Sequence, residues 1–171
     1  MFADDLGMRR DAIVDRWIES VIDAYPEQTA KFLKTEPNRF ANPVGASLRE
    51  GLALIVDGVM TGGNPEELRE ALDLVIRVRA VQEFTPSAAI GFIFNLKTVV
   101  RDVVADGGRV PSEFDRAVDR LGLVAFDVYM SCREQLWSIR AEEIRNQSLG
   151  ILERMQEWRE KRARESETSS C

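Results

Sequence analysis

Three prolines of this chain each follow a polar residue that can cap a helix, and these pairs predict where helices begin. The pairs are Asn42-Pro43, Asn64-Pro65 and Thr85-Pro86, and Val110-Pro111 follows a pair of glycines. Proline at the first helical position loses no hydrogen bond, and a preceding polar side chain can accept one from the next free amides. The chain is therefore expected to fold as a series of helices that start at these pairs.

Apolar residues between these breaks recur every three or four positions, as they do along one face of an α-helix. No segment alternates with period two beside turn residues, which strands of a half-buried sheet would require. We expect an all-α fold, with the fourth helix running from Pro65 to about Phe84. The helix after Pro86 is apolar nearly all round and is predicted to be the most buried.

After Pro111, the chain to about Arg164 contains no further proline and no glycine-rich break, and Gly150 is the one isolated glycine in its second half. Its first half carries a stripe typical of a core-facing helix. Its second half has apolar residues at alternating spacings of four and three, which is typical of a coiled-coil seam. The seam residues are Ile144, Ser148, Ile151, Met155 and Trp158.

An unbroken helix of this length would reach about 80 Å, more than a domain of this size can bury. We therefore predict a helical domain over residues 1–140, a projecting helical extension over 141–164 and a disordered tail over 165–171. The extension would need a partner for Ile144, Ile151, Met155 and Trp158. The alternative is a bend near Gly150 that folds the seam back onto the domain.

The sequence has no histidine, and this excludes haem ligation of the globin type, Ser-His-Asp catalysis and histidine-based metal sites. Its acidic residues alternate with basic ones on predicted solvent faces, so no pair suits acid–base catalysis. Cys132 falls on a core stripe and Cys171 ends the chain, which leaves no metal-binding cysteine cluster. We expect neither an enzyme nor a cofactor.

The formal net charge of -6 argues against a nucleic-acid partner, because phosphate binding requires a basic surface. No run of about 18 apolar residues predicts a membrane span, and the charged beginning does not match a secretory signal. Two isolated cysteines give no disulfide framework. These features favour a cytoplasmic protein.

Two arginines interleave with apolar residues just before Pro86: Arg77 and Arg79, followed by Gln82 and Phe84. One interpretation is structural, with an arginine pairing with a nearby acid or binding carbonyls where two helices meet. The other is functional, with the arginines anchoring an anion at the mouth of a core cavity. Arginine suits this second role because its planar fork can bind a carboxylate through two hydrogen bonds.

At these residues the sequence resembles the N-terminal domain of the RsbR and RsbRD co-antagonists of the stressosome. The resemblance covers about residues 10 to 140 and lies in RVRAVQEFTPSAAIGFIFNLK (Arg77 to Lys97), Trp17 with Tyr25-Pro26, and RFANPVG (Arg39 to Gly45). It implies a globin-like helical bundle without haem, usually dimeric, that serves as a regulatory input. Such domains commonly continue into a STAS output domain, which we do not expect here.

Three functional hypotheses follow. The first is a homodimeric regulatory module that signals by protein contact through the seam of the last helix. The second is a binding protein for a fatty acid or another apolar anion, a ligand class that the resemblance to non-haem globin-like sensors implies, with Arg77 or Arg79 as anchor. The third is an accessory subunit of a larger redox or signalling complex.

Overall fold

The computed structural model describes residues 2–36, 38–82, 84–104 and 110–168. Within these ranges the secondary structure consists of six α-helices and no strand, so the all-α prediction is confirmed. The globin-like arrangement of the helices stays a prediction. The helices are α1 (Phe2–Ile22), α2 (Glu27–Thr35), α3 (Pro43–Thr61), α4 (Pro65–Val81), α5 (Pro86–Val104) and α6 (Ser112–Thr168).

The helix starts lie where the proline pairs predict them. The Asn42 side chain accepts a hydrogen bond from the Gly45 amide at 2.8 Å, and the Asn64 side chain accepts one from Glu66 at 3.0 Å. Each of these bonds satisfies an amide that has no partner inside its own helix. Between the two helices, Gly62 ends α3 in the left-handed conformation, with φ of 69°, which glycine adopts without steric cost.

The chain divides into two compact units, Met1–Cys132 and Arg133–Cys171. The first unit has a continuous apolar core formed by α1 to α5 and the first part of α6. Trp17 of α1 lies fully inside it, and its indole Nε1 donates to the Phe92 carbonyl of α5 at 2.9 Å. Other fully buried side chains are Ile13, Leu48, Leu52, Ile55, Leu72, Ile76, Ile93 and Leu96.

The helix α5, which we predicted to be the most buried, is buried along one stripe and exposed on another face. Ala89, Phe92 and Leu96 point into the core, but Phe94 is 42% exposed. Its ring covers Gly122 of α6, where a Cβ atom would lie 2.5 Å from the Phe94 Cζ atom. An apolar composition therefore did not mean burial on every side, because an aromatic ring can cover a glycine and still face solvent.

The second unit contains only the later part of α6. From Arg133 to Arg162, none of the side chains that the structure describes is buried. The helix continues through Gly150 without a break. It reaches Thr168, inside the segment 165–171 that we predicted as a tail, and the last three residues lie outside the described part. The predicted domain limit at residue 140 stays a prediction beside the division after Cys132.

Candidate functional site

The guanidinium of Arg79 is the most deeply buried charged group among the described residues of the first unit. Arg79 lies in the last turn of α4 and is 1% exposed. Its Nε donates to the Ala89 carbonyl at 3.2 Å, and its Nη2 donates to the Ala88 carbonyl at 2.9 Å. Arg79 thus binds carbonyls at the start of α5, as the structural interpretation of the two arginines describes.

Three aromatic rings surround this guanidinium. Its central carbon lies 4.3 Å from the ring centroid of Phe84, 5.2 Å from that of Phe92 and 5.5 Å from that of Tyr25. Tyr25 and Phe84 also meet edge to face, with centroids 5.3 Å apart. Cation–π attraction compensates part of the cost of burying the charge. None of the ion pairs formed within the described ranges includes Arg79.

Two buried polar atoms at this position, Nη1 of Arg79 and the hydroxyl oxygen of Tyr25, make no well-aligned hydrogen bond in the described structure. The two side chains lie within reach of each other, but not in a geometry that satisfies either atom. Burial lowers the pKa of the guanidinium, and attraction to Tyr25 opposes that change. Burial raises the pKa of the Tyr25 phenol, and the charge of Arg79 opposes that change in turn. An arginine stays protonated at neutral pH even so. A buried donor without a partner lowers stability, so Nη1 of Arg79 and the Tyr25 hydroxyl are unusual among the buried polar groups of the first unit.

A surface pocket of about 370 Å³ lies beside the pair. The Tyr25 and Phe84 side chains line it, and they also contact the guanidinium. The other lining residues are Ala24, Pro26, Thr29 and Gln82.

The structure brings three of the four predicted ligand residues together and separates the fourth. Arg79 and Phe84 are in contact, and Gln82 lines the pocket with Phe84. Arg77 is instead exposed on α4 and forms an ion pair with Asp73 at 3.0 Å. Whether these residues bind a ligand stays a prediction.

Sequence reasoning assigned no ligand role to Tyr25 and Phe92. Both lie in the stretches that carry the resemblance, Tyr25 directly and Phe92 inside the run from Arg77 to Lys97. Their place in these stretches was the signal available in the sequence, and their convergence on Arg79 is visible only in the fold. The resemblance named these stretches as separate motifs, and the fold shows that they meet.

The predicted interface residues lie on the exposed helix of the second unit. Ile144, Ile151, Met155 and Trp158 are between 50% and 64% exposed. Trp137 extends the set, because Trp137, Ile144, Ile151 and Trp158 follow one another at intervals of seven residues. We call Trp137, Ile144, Ile151, Met155 and Trp158 the α6 seam.

Arginines border the α6 seam on both sides by helical spacing. Arg140 and Arg154 precede seam residues by four positions, and Arg145 and Arg159 follow them by one. Arg162 lies over the ring of Trp158, with its guanidinium carbon 4.8 Å from the centroid.

Cys132 is a buried thiol of the first unit, with its sulfur 3.7 Å from a carboxylate oxygen of Asp73. Burial, reinforced by the negative charge of Asp73, raises the pKa of this thiol. A raised pKa keeps the sulfur protonated and poorly nucleophilic. In the described ranges no group of acids and cysteines is arranged to hold a metal ion. The described helices also include no apolar stretch that could span a lipid bilayer.

Comparisons with known proteins identify the family of this chain. The family model of the RsbT co-antagonist protein rsbRD N-terminal domain matches residues 11–144. An uncharacterised protein of Archaeoglobus fulgidus is 27% identical over 143 residues, which cover 80% of this chain and 85% of that protein. No solved structure gives a significant match. The family match confirms the resemblance, and the chain belongs to the rsbRD N-terminal domain family of RsbT co-antagonists.

Proposed function

We propose that this protein is a regulatory sensor domain that pairs with a second copy of itself through the α6 seam. It acts by protein contact in the cytoplasm, without haem and without catalysing a reaction. Membership of the family supports the regulatory role, since the family points to sensor domains of stressosome-type signalling. The structure supplies the surface on which the contact is proposed.

The observation that carries this proposal is the exposure of the α6 seam. Trp137, Ile144, Ile151 and Trp158 repeat every seven residues, and each leaves at least half of its surface in water. A seven-residue repeat of large apolar side chains is the pattern by which two helices wind around each other. Pairing would remove these side chains from water, which is the main favourable term in such associations.

Light scattering across a concentration series in the micromolar range tests the pairing. The wild-type chain should have the mass of a dimer, and Trp158→Asp should have the mass of a monomer, because an unpaired charge is costly to bury in the contact between two seams. Leu149→Asp is the matched control. Leu149 is 52% exposed on the same helix, but it lies about 140° around the helix from Ile144, so the variant should remain dimeric.

A monomeric wild type, or equal dissociation in both variants, would overturn the homodimer. A monomer would direct attention to the third hypothesis, docking on a larger signalling complex.

Ligand sensing is a second candidate function, and the unpartnered Nη1 of Arg79 favours it. In this version the core of the first unit binds a fatty acid or another apolar anion, with Arg79 rather than the exposed Arg77 as its anchor. Native mass spectrometry of the gently purified chain tests it. A bound lipid acid should be seen on the wild type, and its absence would count against this candidate.

A further inference from the structure

We propose that Tyr25 and Arg79 form a buried site for a small monocarboxylate with a short or single-ring apolar body. This inference deepens the proposed sensor role, because it names the chemical class of the signal. It involves the first unit only and is independent of pairing through the α6 seam. Light scattering and ligand binding can therefore fail separately.

The unpartnered atoms define the ligand's polar end. Tyr25 is 6% exposed and Arg79 is 1% exposed. The two side chains lie beside each other, yet neither Nη1 nor the phenol hydroxyl makes a well-aligned hydrogen bond with a described residue. Both groups can donate a hydrogen bond at neutral pH. A ligand that accepts from both needs two neighbouring acceptor atoms, which a carboxylate provides.

Charge points to the same ligand class. The Arg79 guanidinium forms no ion pair with a described carboxylate, and its other two contacts are to the neutral carbonyls of Ala88 and Ala89. In a poorly hydrated interior, an unpaired cation attracts an anion more strongly than it would in water. A neutral amide or alcohol would supply acceptors without this attraction.

The surrounding rings define the ligand's apolar end. Phe84 and Tyr25 contact the guanidinium and also line the pocket of about 370 Å³. Arg79 itself does not line the pocket, so in the proposed complex the Phe84 ring turns aside and lets the ligand's carboxylate reach the guanidinium. The volume is near the lower end of small-molecule pockets, which begin at about 300 Å³. It suits a carboxylate of the size of benzoate better than a long acyl chain.

Isothermal titration calorimetry of the full chain with sodium benzoate tests the site, with benzamide, sodium chloride and sodium decanoate as comparison ligands. Benzoate should bind and should raise the melting temperature by several degrees at about a hundredfold excess over its dissociation constant. Benzamide and chloride should bind much more weakly, because one lacks the charge and the other lacks the second acceptor atom. Decanoate should also bind more weakly, because its chain exceeds the pocket.

Three variants assign the binding to these residues. Tyr25→Phe removes only the hydroxyl and should weaken benzoate binding about tenfold to a hundredfold, as expected for loss of a hydrogen bond to a charged group. Arg79→Met should abolish binding. Arg77→Met is the control for charge, because Arg77 lies two residues away but is exposed and paired with Asp73, and it should bind benzoate like the wild type.

If Arg79→Met does not fold, Tyr25→Phe still decides. Wild-type affinity in Tyr25→Phe would overturn the site, as would equal binding of benzamide or chloride. Absence of heat and of any shift in melting temperature with benzoate at millimolar concentration would also overturn it. Tight binding of decanoate without benzoate would contradict the size assignment and favour a long-chain acid.

Discussion

The two units of this chain use tryptophan in opposite ways. Trp17 of the first unit is 0% exposed and hydrogen-bonded to the Phe92 carbonyl, whereas Trp158 of the second unit is 58% exposed. Helices of the first unit are stabilised by burying one face against their neighbours, which is the usual source of helix stability in proteins. In the second unit the described side chains have no such burial. The same residue type therefore reports folding in one unit and the capacity for association in the other.

Replacing each tryptophan with alanine should give the largest difference in the free energy of unfolding between the two units. Trp17→Ala should lower the free energy of unfolding by about 3–5 kcal/mol, because it leaves a cavity in a fully packed core. Trp158→Ala should change it by less than about 0.5 kcal/mol at concentrations where the chain is monomeric. Urea unfolding followed by circular dichroism measures both. Similar losses would mean that Trp158 belongs to a folded core.

Replacing one glycine in each unit with alanine should give a difference in stability of intermediate size. A Cβ on Gly51 would lie 2.6 Å from the Val75 Cγ2 atom and 2.9 Å from the Ala71 carbonyl oxygen, so α3 and α4 leave no room for it. Gly51→Ala should cost about 1–3 kcal/mol. Gly150 has nothing within 4 Å of such a Cβ, and Gly150→Ala should stabilise the helix by up to about 1 kcal/mol. Thermal unfolding compares them, and a stabilised Gly51→Ala would contradict the close contact of α3 with α4.

The fold was predictable to the extent that local chemistry decides it. Asn42 and Asn64 cap helices where the proline pairs indicate, because the cap interaction involves only residues close in sequence. The end of α4 was less predictable. The helix ends at Val81 and not near Phe84. Because Thr85 precedes Pro86, it avoids the helical conformation, so the chain must leave the helix before Pro86. That rule does not fix which earlier residue is the last helical one.

The candidate site was predictable only in part, because its residues come from distant segments. The sequence interpretation left Arg77 and Arg79 open as alternatives. Helical spacing could have separated them, because Arg79 lies four positions after Val75 and three after Ile76 on the apolar stripe of α4, whereas Arg77 does not. Tyr25 is distant from both in sequence, and only the packing of the first unit places it against Arg79. The α6 seam differs, because a repeat within one helix can be recognised from the spacing of its residues. The partner that would cover the seam cannot be recognised in this way.

A smaller effect should appear in the pH dependence of stability, and it should be confined to the first unit. Burial raises the pKa of Tyr25 above its ordinary value of 10.0, so the unfolded phenol loses its proton at a lower pH than the folded one. The free energy of unfolding should therefore fall as pH rises above about 10. Tyr25→Phe should show a smaller fall over the same range, measured by urea unfolding at matched pH values.

Cys132 adds to the fall in wild type and variant alike, because burial also raises the pKa of its thiol. Only the difference between the two chains therefore reports on Tyr25. Identical pH profiles would show that the Tyr25 phenol has the same pKa in the folded and unfolded chains.

The smallest expected effect concerns salt and the second unit. Arg140, Arg145, Arg154 and Arg159 border the α6 seam on both sides, so two copies bring arginine near arginine whether the helices run parallel or antiparallel. Salt screens such exposed charges, and each pair of them is worth less than about 1 kcal/mol. Self-association should therefore strengthen a few-fold between about 0.05 and 0.5 M sodium chloride, measured by sedimentation. Arg154→Glu should reduce or reverse this dependence, while Arg116→Glu in the first unit should leave it unchanged. If salt instead weakened the wild-type dimer, attraction between opposite charges would hold the two copies together. The arginines that border the α6 seam cannot supply that attraction, so this result would contradict pairing through the seam.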